Sequence, residues 1–181
     1  MVIGAASTAL AVAAVTMWVG AFTETPTAPS PASVPVAAQR YKPPAVVVAD
    51  GLHINRVEVA EFVERVVNDP RGWRTDLGQF TVRIVPAGAE GTQPMPGRIG
   101  QANPADATVV VSDQAWTTLG PRFAAVGGTL TDQRTWVVLH EVGHLLGHEH
   151  QPCPGLGPSP VMRDTNYMLG VGCTFNVWPN P

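Results

Sequence analysis

Between residues 45 and 146 the apolar positions fall into five blocks, and their periods predict strands and helices in turn. Ala45 to Ala49 is a short apolar run suited to a first strand. Asn55-Arg56-Val57-Glu58 then reads as a helix start, with Asn55 as cap and Glu58 reaching back to it. Val59, Phe62, Val63 and Val66 follow at i, i+3, i+4 and i+7, one apolar stripe that should pack on a sheet. Asp69-Pro70 should end that helix, and its carboxylates read as a solvated face. Phe80, Val82 and Ile84 alternate with polar neighbours over Gln79 to Val85, the period of a half-buried strand. Pro86 to Pro104, rich in glycine and proline around Met95 and Arg98, reads as loop. Thr108 to Ser112 is a β-branched run suited to a buried strand. A last helix should begin at Thr131 or Asp132, either a good cap, and run to Leu146, burying Val138, Val142 and Leu145. The pattern is α+β.

That last helix carries the chemistry. Residues 140–150 read H-E-x-x-H-x-x-G-x-x-H and hold four of the five histidines. His140 and His144 lie four residues apart, hence one turn apart on one helical face, where both imidazoles can meet one ion. Glu141 is rotated by roughly 100° from His140, beside such an ion but not a ligand, where it can hold and deprotonate a water. Gly147 suits the turn that ends the helix, because glycine takes positive φ at no steric cost. His150 would then return from outside the helix as third ligand. Three ligands leave one position open, the mark of a catalytic rather than structural zinc site. A structural metal would leave Glu141 without a purpose. His148 falls off the ligand spacing and reads as solvent-facing; His53 is isolated and reads as incidental. Trp136 reads as core or cleft wall.

The extended motif resembles that of the metzincin zinc peptidases, which place a fixed methionine turn beneath the metal. Pro160-Val161-Met162-Arg163 is the matching segment, with Met162 as the turn methionine. With Gln151-Pro152-Cys153-Pro154-Gly155, Gly172-Cys173 and Trp178-Pro179, it is most similar to a family of exported actinobacterial proteins of metzincin type. The similarity runs from about Asp113 to the C-terminus and is weaker at Asp69-Pro70-Arg71-Gly72-Trp73. Members often carry a further cysteine pair before the zinc helix, which this chain lacks.

The resemblance implies a zincin-like fold: a small mixed twisted sheet, a backing helix, the active-site helix, and an irregular C-terminal subdomain holding the methionine turn. It implies a zinc-dependent endopeptidase with Glu141 as general base, a peptide or protein as substrate, and the strand at Val109 to Asp113 bordering the cleft. Ordinary sheet packing is the other reading of that strand. Tyr167 would be placed to hydrogen-bond a reaction intermediate, though it falls five residues after Met162 rather than two.

Cys153 and Cys173 bracket Met162. In an exported protein they read as a disulfide; otherwise they are free thiols, or thiolates competing for zinc. Export is suggested by Val2 to Phe22, an uncharged and mostly apolar run, either a signal peptide or a membrane anchor over residues 1–22. It lacks the basic residues expected before such a run. Residues 23–44, rich in Pro, Ala, Ser and Thr, form an extended linker, and 45–181 the folded domain. With 14% charged residues, a net charge of −3 and no run of Lys or Arg, nothing here would track a nucleic-acid backbone. Non-catalytic binding by an exported domain that keeps a structural zinc is the alternative function. The sequence leaves oligomeric state open.

Overall fold

The computed structural model describes residues 42–75, 77–95, 97–164 and 172–181. The apolar run Val2 to Phe22, most of the proline-rich segment, and Tyr167 lie outside the described residues. Among the described residues, no helix is long and apolar enough to cross a membrane.

Four strands make one mixed sheet. β1 (Ala45–Val48), β2 (Thr81–Val85), β3 (Gly100–Asn103) and β4 (Thr108–Ser112) are ordered β1-β2-β4-β3. β1, β2 and β4 run parallel; β3 pairs antiparallel with β4, with Gly100 opposite Val111 and Asn103 opposite Thr108. β1 reaches its parallel neighbour through α1 (Arg56–Val67), the crossover that a parallel pair requires. α1 is capped by the Asn55 side chain, which accepts from the Val57 N–H at 2.9 Å. Glu58 meets the Asn55 side-chain amide at 3.1 Å, so it braces the cap from the side. Val59 and Val63 of α1 are fully buried with Phe80, Val82 and Ile84 of the sheet region, as their periods require.

β3 corrects the expectation of a loop over residues 86–104. Gly-Gln-Ala-Asn has neither the β-branched content nor the alternation that marks a strand. It is a strand because β4 offers it an edge. The same arrangement excludes the cleft-bordering role for Val109 to Asp113. β4 is paired on both sides, buried throughout, and followed at once by a short helix, α2 (Asp113–Thr117). Of the sheet's two edge strands, β1 and β3, it is β3 that lines the cleft.

After α2 comes α3 (Pro121–Ala125), and then α4 (Leu130–Leu145), the histidine helix. α4 starts earlier than its sequence suggested. Thr129 is the cap and Asp132 the third-position partner, with Asp132 N–H to Thr129 Oγ1 at 3.1 Å and Thr129 N–H to Asp132 Oδ2 at 2.8 Å. α4 is also buried around its circumference from Thr135 to Gly143, rather than along one stripe, and Leu145 is only half-buried. Gln133, fully buried, ties α4 to the α2–α3 connection: it accepts from Gly120 N–H at 2.7 Å and donates to Ala115 and Thr118 carbonyls at 2.7 and 2.8 Å.

The C-terminal part is irregular. It holds a two-residue parallel ladder, β5 (Gly157–Pro158) with β6 (Cys173–Thr174), closed by a Cys153–Cys173 disulfide. The cysteines are therefore neither free thiols nor metal ligands. A bridge spanning 20 residues contributes roughly 3 kcal/mol in the chain-entropy model.

Candidate metal centre

α4 ends in a turn that aims the third histidine. The His148 N–H donates to the Gly143 carbonyl at 2.9 Å and the Gly147 N–H to the His144 carbonyl at 3.0 Å. With Gly147 at φ +84°, these bonds form a Schellman stop. The chain then doubles back, and His150 Nε2 arrives 3.1 Å from His140 Nε2 and 3.2 Å from His144 Nε2. His140, His144 and His150 are the one group of potential ligands that converges among the described residues. His148 is outside it.

The hydrogen-bonding state of these rings shows what they converge for. His140 Nδ1–H donates to the Val161 carbonyl at 2.8 Å, and His144 Nδ1–H to the His148 carbonyl at 2.8 Å. A carbonyl only accepts, so each neutral ring keeps its proton on Nδ1 and presents a bare lone pair at Nε2. His150 Nε2 can donate to only one of the two lone pairs. His150 Nε2 lies 3.1 and 3.2 Å from those two nitrogens, and all three lie within 4.8 Å of one another, an arrangement that fits a cation better than the rings fit one another. Tetrahedral coordination at 2.0–2.1 Å sets ligand nitrogens about 3.3–3.4 Å apart, close to the two distances that His150 makes. Burial pulls His140 down to about 3, against the opposing effect of the Val161 carbonyl, and keeps the ring neutral and ligand-ready. Burial also lowers His144.

Glu141 stands on the wall of the same cleft, a space of about 420 Å³ bounded by α4 and the β3 edge. It is 6% exposed, and burial pushes its carboxyl up to about 8, with the Ala102 backbone hydrogen bond and the Arg98 charge opposing. β3 can approach this closely because residue 100 is glycine. A Cβ there would stand 2.7 Å from Val137 Cγ2 and 2.8 Å from Glu141 Oε1. Trp136, buried at 4%, is both core and cleft wall, its ring 4.3 Å from that of His140.

Met162 packs against Gly143, the residue before His144 on α4. Arg163 N–H closes the turn onto the Pro160 carbonyl at 3.1 Å, and Met162 accepts from Gln151 N–H at 3.0 Å, just past the third histidine. Its side chain, 1% exposed, fills the space beside Gly143 on α4. The turn thus touches both the helix and the return loop, and its Val161 carbonyl orients His140.

Of the residues singled out in the sequence, the structure brings His140, Glu141, His144 and His150 to one cleft, and distant segments supply the rest of its wall. Gly100, Ala102 and Arg98 come from the stretch read as loop. Trp73 and His148, stacked at 4.3 Å, were also missed, and His148 is half-buried rather than solvent-facing. His53 is exposed and away from the site.

No protein-family model matches this chain, and no curated protein matches it. Among solved structures it is similar to the crystal structure of a zinc-dependent peptidase from Methanocorpusculum labreanum, at 20% identity and a TM-score of 0.31. The similarity covers 59% of this chain and 58% of that one, so the chain spans somewhat more than half of that peptidase's length.

Proposed function

We propose that the protein is a zinc-dependent endopeptidase that acts outside the cytoplasm. The convergence of three imidazole nitrogens beside a buried carboxylate carries this reading. Zinc is the ion of choice because three neutral imidazoles with one open position suit it. Met162 would serve as the methionine turn of a metzincin-like site, a role supported by its burial between Gly143 and the return loop. Similarity to exported actinobacterial proteins of metzincin type belongs to the same proposal.

Held by His140, His144 and His150, the ion would acidify a water from 15.7 towards about 7 and stabilise developing negative charge on a carbonyl oxygen. Glu141 would serve as the base that accepts a proton from the attacking water and delivers it to the leaving amine. The charge of a bound ion would oppose the rise that burial gives this carboxyl and favour the ionised form that the role needs. The Nδ1–H bonds of His140 and His144 fix ring orientation and leave the coordinating nitrogens unprotonated. An extended peptide would add to the open edge of β3 and lie across the cleft.

Location outside the cytoplasm is supported by the Val2 to Phe22 run and by the disulfide. That apolar run would act as a signal or as an anchor in the membrane.

Glu141→Gln tests the mechanism. Elemental analysis should find one zinc per chain in both proteins, while cleavage of a peptide library falls by about 10²–10⁴-fold in the variant. Undiminished cleavage would assign the proton transfer to another group.

A further inference from the structure

Outside the ligand set, one side chain is held in a way that bears on it. The Trp73 indole lies against His148 with ring centroids 4.3 Å apart and planes 14° from parallel. The same indole donates from Nε1 to the Leu139 carbonyl of α4 at 2.7 Å. It also covers Gly143, where an added Cβ would stand 2.8 Å from Trp73 Cζ2. In the helix stop, Gly143 and His148 are the two positions that ordinarily touch through apolar side chains. Gly143 has none; Met162 and Trp73 together fill the gap, and of the two Trp73 is the one that also stacks on His148.

Trp73 is itself braced. Asn180 donates from its N–H to the Arg71 carbonyl at 3.0 Å and from Nδ2 to the Gly72 carbonyl at 2.7 Å. The Arg71 guanidinium lies 3.9 Å from the centre of the Trp178 ring.

His148 is not among the converging histidines, yet its carbonyl accepts from His144 Nδ1–H at 2.8 Å. We infer that His148, stacked on Trp73, is a positioning residue: the stack fixes its carbonyl, which orients His144 and sets the return path to His150. The ring acts as a flat surface, not as an acid, base or ligand. This inference rests on the metal-site reading, but only for one of its two tests.

The first test measures zinc affinity of the full chain by competition with a chromophoric chelator. His148→Ala removes the stacked ring and should weaken binding about 10–100-fold, the usual effect of losing support behind a ligand. His148→Phe keeps a flat ring and the backbone carbonyl, so it should bind as the unaltered protein does. Trp73→Ala should match His148→Ala, and the double variant should be no weaker than either single one. Unchanged affinity in His148→Ala overturns the inference, as does a Phe variant as weak as the Ala one. Should Trp73→Ala fail to fold, the two His148 variants decide.

The second test uses no metal. Nitrogen-15 spectra of the metal-free protein should show His144 as the Nδ1–H tautomer in the unaltered chain and in His148→Phe, and a tautomer mixture in His148→Ala. A pure Nδ1–H form in all three overturns the inference. Failure of the unaltered protein to bind zinc would instead count against the metal site, and this second test would still judge His148.

Discussion

Glu141 and His140 are neighbours on α4, and the same burial pushes their proton affinities in opposite directions. Glu141 rises from 4.5 to about 8, and His140 falls from 6.5 to about 3. Between 4.5 and 8 the folded protein keeps a proton on Glu141 that the unfolded chain releases, so this group costs stability as pH rises. Between 3 and 6.5 the unfolded chain holds a proton on His140 that the folded one lacks, so this group adds stability as pH rises. From 4.5 to 6.5 the two slopes oppose, and His144, also lowered, tips the balance towards gain. Above 6.5 only the Glu141 loss remains. The metal-free protein should therefore unfold at its highest temperature near pH ~6.5 and at lower temperatures towards pH ~8. Thermal scans in chelator across that range check this, and Glu141→Gln should flatten the alkaline fall. An alkaline fall that survives the substitution would assign it elsewhere. None of this was legible from the chain alone. Helical spacing put His140 and His144 on one face with Glu141 beside them, but the degree of burial depends on β3, Trp136 and the 160–163 turn.

At the scale of elements, what the sequence showed and what it hid divide along one line. β1, α1, β2, β4 and α4 each carry an apolar period long enough to read, and each stands within a few residues of its expected place. β3, α2 and α3 carry no apolar period of their own, and contacts from elsewhere in the chain help to hold them. β3 is held by β4 and by its closeness to α4. The α2–α3 connection is held by Gln133, a residue with no local signature. Gly100 concentrates this dependence in one position. Gly100→Ala places a methyl against Val137 and Glu141 at distances of 2.7 and 2.8 Å, so β3 must move off the helix or Glu141 must turn away. Stability should fall by about 1–3 kcal/mol, as for other overpacked sites. Peptide cleavage should drop with it, while zinc affinity holds, because none of the three ligands touches that methyl. A urea titration read beside a cleavage assay measures both. Unaltered values in the two would mean that β3 does not press on the helix as closely as these distances require.

For the whole molecule, the question is whether the ion is part of what keeps the chain folded. The core runs through α1, β2, β4 and the buried flank of α4, with Val59, Val63, Val82, Ile84, Val109 and Leu139 wholly enclosed and no histidine among them. The ligands become steadily less covered away from that core: His140 is buried, His144 half-buried and His150 exposed. His140 and His144 are held at Nδ1 by backbone carbonyls whether or not an ion is present. The return loop is tied by the Gln151–Met162 bond, and the segment beyond it by the disulfide. Metal removal should consequently leave the fold standing. Circular dichroism in chelator should match that of the zinc-loaded protein, and the unfolding free energy should drop only by the linkage of a bound ligand, about 2.7 kcal/mol at a zinc concentration 100 times Kd. Cleavage should vanish and return on adding zinc. If chelation unfolds the chain instead, the ion is a structural staple, and a non-catalytic binding domain becomes the better account of these histidines. The layered burial of the three ligands argues for the first outcome: a staple joins elements that would otherwise separate, whereas these rings reach their places on contacts the protein makes for itself.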